Sequence, residues 1–221
     1  MYTAMLLADA RLPTGGHAYS AGVEPAVRAG LPPDLLADYL IGRVRTVTRV
    51  EAGTAVLARH VLLGDATAHR RALADVAAAW AARTPSPALR AASVAQGRGY
   101  LRLAARLWPE APAWALFEDR APCRAVVLGA IAAESGMPPA DLVRTVVYDD
   151  AAAAAAAVLK LDPRDPAEVS RWVLDACATG EPYVAEVAAL TDPADIPATG
   201  APQTEEWAQA HALLTQRLFR A

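Results

Sequence analysis

The chain has 221 residues, enough for one sizeable core, and 54% of them are hydrophobic, which excludes a disordered chain. Aromatics make up only 6% and alanine supplies much of the apolar content; alanine is the strongest helix former, so composition favours an all-α protein. A formal net charge of −3 gives no basic footprint for nucleic acid, and the two cysteines, Cys123 and Cys177, match no metal or redox spacing and read as buried free thiols in a reducing cytosol.

The first stretch, MYTAMLLADARLP, carries no basic leader, and Asp9 interrupts its apolar run. The longest apolar run, residues 151–159, lies between Asp149–Asp150 and Lys160 and is too short to span a bilayer. A cytoplasmic protein without membrane contact is expected.

LPTGGHAYSAGVE, residues 12–24, comes next and reads as a turn that fixes a helix start. Leu12-Pro13 favours extended backbone, Gly15 and Gly16 permit positive φ, and Ser20 is placed to cap a helix over 20–29 that contains Glu24. Gly30, followed by Pro32–Pro33, ends that helix and opens the next. A phosphate loop is excluded, because the lysine and Ser/Thr pair are absent and no strand precedes. AYSAG approximates a nucleophile elbow, with an Asp and then His211 following in hydrolase order. That device needs a strand-to-helix turn to expose its serine. His17 has no second ligand nearby, and His60 and His69, nine apart, do not share a helix face.

Leu36, Leu40, Val44, Val47 and Val50 hold a three-or-four spacing, which predicts a helix over 35–63 ended by Gly64. Gly42 and Gly53 are its candidate points of bending or close helix contact. Further helices are expected over 65–82, 87–107, 123–134 and 141–159, with a short element near 113–117. Gly136 before Pro138–Pro139 repeats the earlier corner. Asp165-Pro-Ala-Glu168 sets a cap, an N1 proline and an N3 carboxylate in the preferred order. The apolar stripe behind it is Val169, Trp172, Val173, Ala176 and Cys177. No useful alternating stretch appears, so the expected fold is an all-α, single-domain bundle of roughly eight to ten helices.

Residues 191–204, TDPADIPATGAPQT, carry three prolines, a glycine and two aspartates and read as a tether. EEWAQAHALLTQRLFRA then resumes helical spacing, with Trp207, Ala210, Leu214 and Leu218 on one stripe and charges that suit the helix dipole. The chain thus divides into a helical body (1–190), a Pro/Gly-rich tether (191–204) and an amphipathic C-terminal helix (205–221). That stripe must fold back on its own body or dock a partner; partner docking is the expectation. Of the 21 basic residues every one but Lys160 is arginine. A lysine against that bias marks either a place where a compact ammonium is wanted or a chance survivor of the bias.

LPTGGHAYSAGVEPAVRAG resembles the N-terminal signature of the urease accessory protein UreF family, L-P-V-G-[GA]-[FY]-S-[YW]-S-x-G-L-E. Leu12, Pro13, Gly15, Gly16, Tyr19, Ser20, Gly22 and Glu24 match, His17 replaces the aromatic and Ala18 a serine. Leu89-Arg90 and residues 96–100, with Gly97-Arg98-Gly99, resemble the family's middle helix. Val158-Leu-Lys160-Leu-Asp-Pro163 resembles V-K-L-V-P-[LF]-G-Q and puts Lys160 on the family's lysine, with Pro163-Arg164-Asp165 departing. The tail resembles H-E-T-x-Y-S-R-L-F-R-S: His211, Arg217, Leu218, Phe219 and Arg220 align, while Ala212, Thr215 and Gln216 differ.

The resemblance implies a non-enzymatic, all-helical scaffold for urease maturation, with no catalytic residue. Such a protein is expected to dimerise, bind UreD (also called UreH) and with it recruit the GTPase UreG, so that the assembly loads nickel into apo-urease (UreABC). No cofactor is expected on this subunit itself; Ni²⁺ and GTP are handled by the assembled complex. On that basis Gly15, Gly16, Tyr19, Ser20, Glu24 and Lys160 are expected on a GTPase-facing surface, with Glu24 and Lys160 exposed and Tyr19 as a flat anchor. His211, Leu214, Arg217, Leu218, Phe219 and Arg220 are expected to face UreD/UreH. The alternatives from other classes are a serine hydrolase acting through Ser20 and a direct nickel-binding chaperone using His17.

Overall fold

The computed structural model describes residues 1–9, 11–119 and 121–219; Arg220, expected in the partner-facing tail, lies outside them. The described residues form α1 (Tyr2–Leu7), α2 (Val23–Arg28), α3 (Leu36–Arg45), α4 (Val47–Leu62), α5 (His69–Ala82), α6 (Pro87–Leu107), α7 (Arg124–Glu134), α8 (Pro139–Leu161), α9 (Pro166–Gly180), α10 (Val184–Ala188) and α11 (Pro202–Ala212). Short 3₁₀ turns link them, and no strand occurs among the described residues. The fold is all-α.

Two helices sit inside, α7 because it is apolar nearly all round and α4 because its middle, residues 52–58, is apolar or small throughout. α4 buries Val50, Ala52, Ala55, Val56, Leu57 and Ala58, and α7 buries residues 124–132 without a break. These two helices pack most extensively on each other, and a methyl group at Gly129 would overlap the Ala55 backbone. α5, α6 and the first half of α8 complete the core around them. A second apolar cluster joins α2, α3, α9 and the second half of α8. Because α8 contributes Val143 and Val146 to one cluster and Val147, Ala151 and Val158 to the other, its 23 residues tie the body into one domain.

The expected helix over 35–63 is two helices. The break is at Thr46, with φ −122° and ψ −98°, and neither glycine causes it. The Thr46 hydroxyl donates to the Gly42 carbonyl at 2.8 Å, a local bond that competes with the helix ladder and bends it. Gly53 instead permits close contact with Leu190, Ile196 and Pro197, while Gly42 faces open space. Elsewhere local signals sufficed: α6 has the expected bounds, with the Ser86 hydroxyl accepting the Leu89 amide. Asp165 caps α9 as expected through the Ala167 amide.

α6 supports the opening turn. A methyl group at Gly99 would overlap the Thr14 backbone, and one at Gly97 the Pro122 carbonyl. Gly99→Ala is therefore expected to cost about 1–3 kcal/mol through overpacking. Gly42→Ala, in open space on a helix, should stabilise by roughly 0.5–1 kcal/mol. Thermal melts of the two variants test the contrast.

Residues 191–204 are held to the body. The Arg83 guanidinium donates to the Ile196 and Ala194 carbonyls, both at 2.8 Å, and the Ile196 side chain is buried. α11 starts inside the stretch read as a tether and stops at Ala212, far short of residue 221. Its contacts are with α6 and α2, so the segment folds back on its own body. The inward residues are Ala208 and His211, and Leu213, Leu214 and Leu218 remain exposed.

Candidate functional site

The opening turn owes its shape to two residues with left-handed backbone, Gly15 and Gly22, and to Ala21 at φ 50°. The Tyr39 hydroxyl donates to the Ala21 carbonyl at 3.0 Å and occupies the space a Gly22 methyl would need. α2 consequently begins at Val23, later than the expected residue 20. Ser20 still serves it: its hydroxyl, wholly buried, accepts the Glu24 amide at 3.4 Å.

Behind the turn lie a buried ion pair and a partly buried one. The break at Thr46 lets Arg43, at the end of α3, and Thr48, at the start of α4, converge on Asp150 of α8. Arg43 Nη2 and Nε donate at 2.6 and 3.0 Å, and the Thr48 hydroxyl at 2.7 Å. Side chains of both Arg43 and Asp150 are nearly inaccessible, at 5% and 7%. Burial alone would raise the Asp150 carboxyl; the Arg43 charge and these hydrogen bonds hold it below the ordinary carboxylate range. Beside it, Arg124 of α7 pairs with Asp149 and lies 3.7 Å from Glu51. Glu51 accepts the Trp80 indole N–H at 2.7 Å, and burial pushes its carboxyl up.

A cavity of about 260 Å³ opens in front of these pairs. Thr14, Gly16, His17 and Tyr19 form one wall, Gln96 and Tyr100 of α6 another, and α8 the floor. The floor is the alanine run, Ala152, Ala153, Ala156 and Ala157, whose side chains end at Cβ and leave the space unfilled. Lys160 and Phe219 stand at its rim. Lys160 Nζ lies 3.5 Å from the His17 carbonyl and 5.1 Å from the Phe219 ring centroid, a cation–π arrangement. Burial pushes the Tyr19 phenol up to about 12.

The tail reaches this rim because Glu24 captures it. The Leu218 and Phe219 amides donate to Glu24 Oε1 and Oε2, each at 2.8 Å. Arg28 Nε donates at 2.9 Å, and His211 Nε2 lies 3.1 Å away. Burial would raise the Glu24 carboxyl, but the two backbone amides, then Arg28 and His211, outweigh it and hold it below the ordinary range.

These positions correct several expectations. Glu24 is fully buried, not an exposed contact; a carboxylate beneath a tail that brings donors to it is shielded from any partner. His211 and Phe219, expected to face UreD/UreH, point inward at 3% exposure each. Tyr19 is half-buried in the cavity wall, and Ser20 is buried. Gly16, His17, Lys160, Arg217, Leu214 and Leu218 are exposed and Gly15 is partly so. Of the cysteines, Cys123 is buried and Cys177 half-buried. No group of three or more His, Cys, Asp or Glu with metal-holding geometry occurs among the described residues. Sequence reasoning missed Arg43, Glu51, Arg124, Asp149 and Asp150. The one local signal was a charge inside an apolar stripe, as Arg43 beside Val44.

The family model for UreF matches residues 33–177, from α3 through most of α9. A urease accessory protein UreF of Mycobacterium sp. (strain JLS) is 40% identical, covering 98% of this chain and 97% of its own length. That of Mycolicibacterium vanbaalenii is 44% identical over 86% and 89%. That of Mycobacterium tuberculosis (strain H37Ra) is 41% identical over 75% of each chain.

Proposed function

The chain belongs to the UreF family of urease accessory proteins, and we propose that it serves urease maturation by contact alone, as a non-enzymatic adaptor. In this reading it binds UreD/UreH and recruits the GTPase UreG for GTP-dependent nickel insertion into apo-urease. The observation that supports it is the convergence at the cavity rim. The opening turn, Lys160 and the C-terminal tail, 143 residues apart or more along the chain in the contact of Lys160 with His17 and 195 in that of Phe219 with Glu24, form one continuous face. The surfaces expected separately for GTPase and for UreD/UreH are therefore neighbours, and a partner seated on one touches the other.

The exposed members of that face, His17, Lys160, Arg217 and Leu218, are the residues free to meet a partner. Rim charges of this kind set specificity and association rate more than affinity. Lys160→Ala should leave the melting temperature unchanged and weaken capture of UreG by the complex with UreD/UreH by about tenfold. Pull-down against purified UreD/UreH and UreG, with and without GTP, tests this. Failure of the wild-type chain to bind either protein would overturn the adaptor reading.

The hydrolase alternative finds little support in the geometry. Ser20 is buried, it follows a short 3₁₀ turn and no strand, and its hydroxyl is engaged by the Glu24 amide, whereas an elbow serine must stand exposed above a sheet.

A further inference from the structure

On the side of the body built by α5 and α6, away from the residues of the cavity rim, the two helices leave a groove of about 710 Å³ between them. From α5 it takes Arg70, Leu73, Ala74, Ala77, Ala78 and Ala81, positions at i, i+3, i+4, i+7, i+8 and i+11 that form a single face. α6 supplies Ala91, Val94 and Arg98, and Phe117 and Val126 close the bottom. Apart from its arginines the lining is apolar, and the alanines leave space that the larger Leu73, Trp80, Leu116 and Phe117 do not fill. Its polar lining has one sign: Arg70, Arg90 and Arg98 contribute three positive charges, and no carboxylate lines it. α6 as a whole carries four arginines and no acidic residue, in a chain of net charge −3.

Those guanidinium groups are poorly neutralised. Arg70 is 67% exposed and lies 3.7 Å from an almost fully exposed Asp119. Arg90 donates to the Thr84 and Pro85 carbonyls and makes no ion pair among the described residues, although its charge is felt by Glu205. Arg98 is exposed and makes no ion pair among the described residues.

We propose that this groove is a docking site for an acidic amphipathic helix of a partner protein. The residues 70–81 span about 16 Å of α5, the length of three helical turns, and alanine on the facing side lets a third helix approach to about 8 Å between axes. Leucines of the guest would cover Val94, Leu116 and the alanines, and its flanking carboxylates would meet Arg70 and Arg98. The proposal stands independently of the adaptor reading, since it rests on a different face.

The test uses the full chain and a fluorescent synthetic helix with leucines along one face and glutamates beside them. Its counterpart carries lysines in place of the glutamates. The glutamate peptide is expected to bind at least about tenfold more tightly than the lysine peptide. Arg70→Glu combined with Arg98→Glu, both exposed, should weaken it by at least about tenfold, and Ala77→Trp should do the same by filling the groove. A photoreactive group on the peptide's leucine face should cross-link to α5 and α6. Equal binding of the two peptides, insensitivity to Ala77→Trp, or cross-links elsewhere would overturn the proposal. So would self-association of the chain that Ala77→Trp abolishes, because a second copy would then be the occupant.

Discussion

Asp150→Ala is expected to destabilise the protein by about 3–5 kcal/mol, the cost of leaving a buried charge without its partner. Arg43 is 5% exposed and has no other carboxylate within bonding distance among the described residues, so its guanidinium would stay buried without a counter-charge in contact, and Thr48 would lose its acceptor. Denaturant titration should show the midpoint falling with little change in slope. Arg43→Leu combined with Asp150→Leu should recover most of the loss, because apolar replacement of both partners removes the desolvation cost as well as the attraction. A double variant as unstable as Asp150→Ala alone would mean that the pair is stabilising in its own right.

Glu24→Ala has the second large effect, and it is local. Each backbone amide bond to a carboxylate is worth about 1.5–3 kcal/mol, and the substitution removes those of Leu218 and Phe219. The freed tail can rehydrate, so the melting temperature of the body should move little. Amide hydrogen exchange over 213–219 should accelerate by about a hundredfold. pH acts in the same direction. The folded Glu24 carboxyl titrates below its unfolded value, so its contribution is complete above the ordinary glutamate pKa of about 4.3 and is lost as pH falls through the depressed folded value. Tail protection is expected to persist from neutrality to about pH 4.3 and to fail in more acidic solution. Unchanged exchange in Glu24→Ala would show that α11 alone anchors the segment.

The two variants also separate what the sequence could reveal from what it could not. α6 and α9 were legible because their limits are set by neighbours in the chain: a cap, a proline at the first turn and an apolar stripe. The opening turn was legible in part: Gly15 is left-handed as expected, whereas the second left-handed glycine is Gly22 and not Gly16. The end of α11 was not. EEWAQAHALLTQRLFRA carries helical spacing to its last residues, yet the chain leaves the helix at Leu213 because a carboxylate 195 residues away captures its amides. Propensity yields to such tertiary contacts. The ion pairs were hidden likewise: Arg43 and Asp150 are 107 residues apart, and although Arg43 sits against an apolar stripe, nothing near it in the chain names its partner. The break at Thr46 exists to bring them together and leaves no glycine or proline to announce it.

The family motifs mix inward and outward residues that the resemblance alone did not separate. Glu24 and Phe219 both belong to the matched motifs, and both are turned inward, where they hold the exposed residues in place. Of Glu24 and Lys160, both expected to be exposed, Lys160 is.

That lysine stands alone in a chain whose other basic side chains are guanidinium groups. Acylating reagents attack amines and leave arginine untouched, so once the α-amino group is blocked, treatment at alkaline pH modifies one amine side chain, and it lies at the edge of the cavity. Attachment of a dye there reads occupancy of the neighbouring surface in the unmutated protein. The rate of its attachment is itself a footprint, slowed by whatever covers the ammonium.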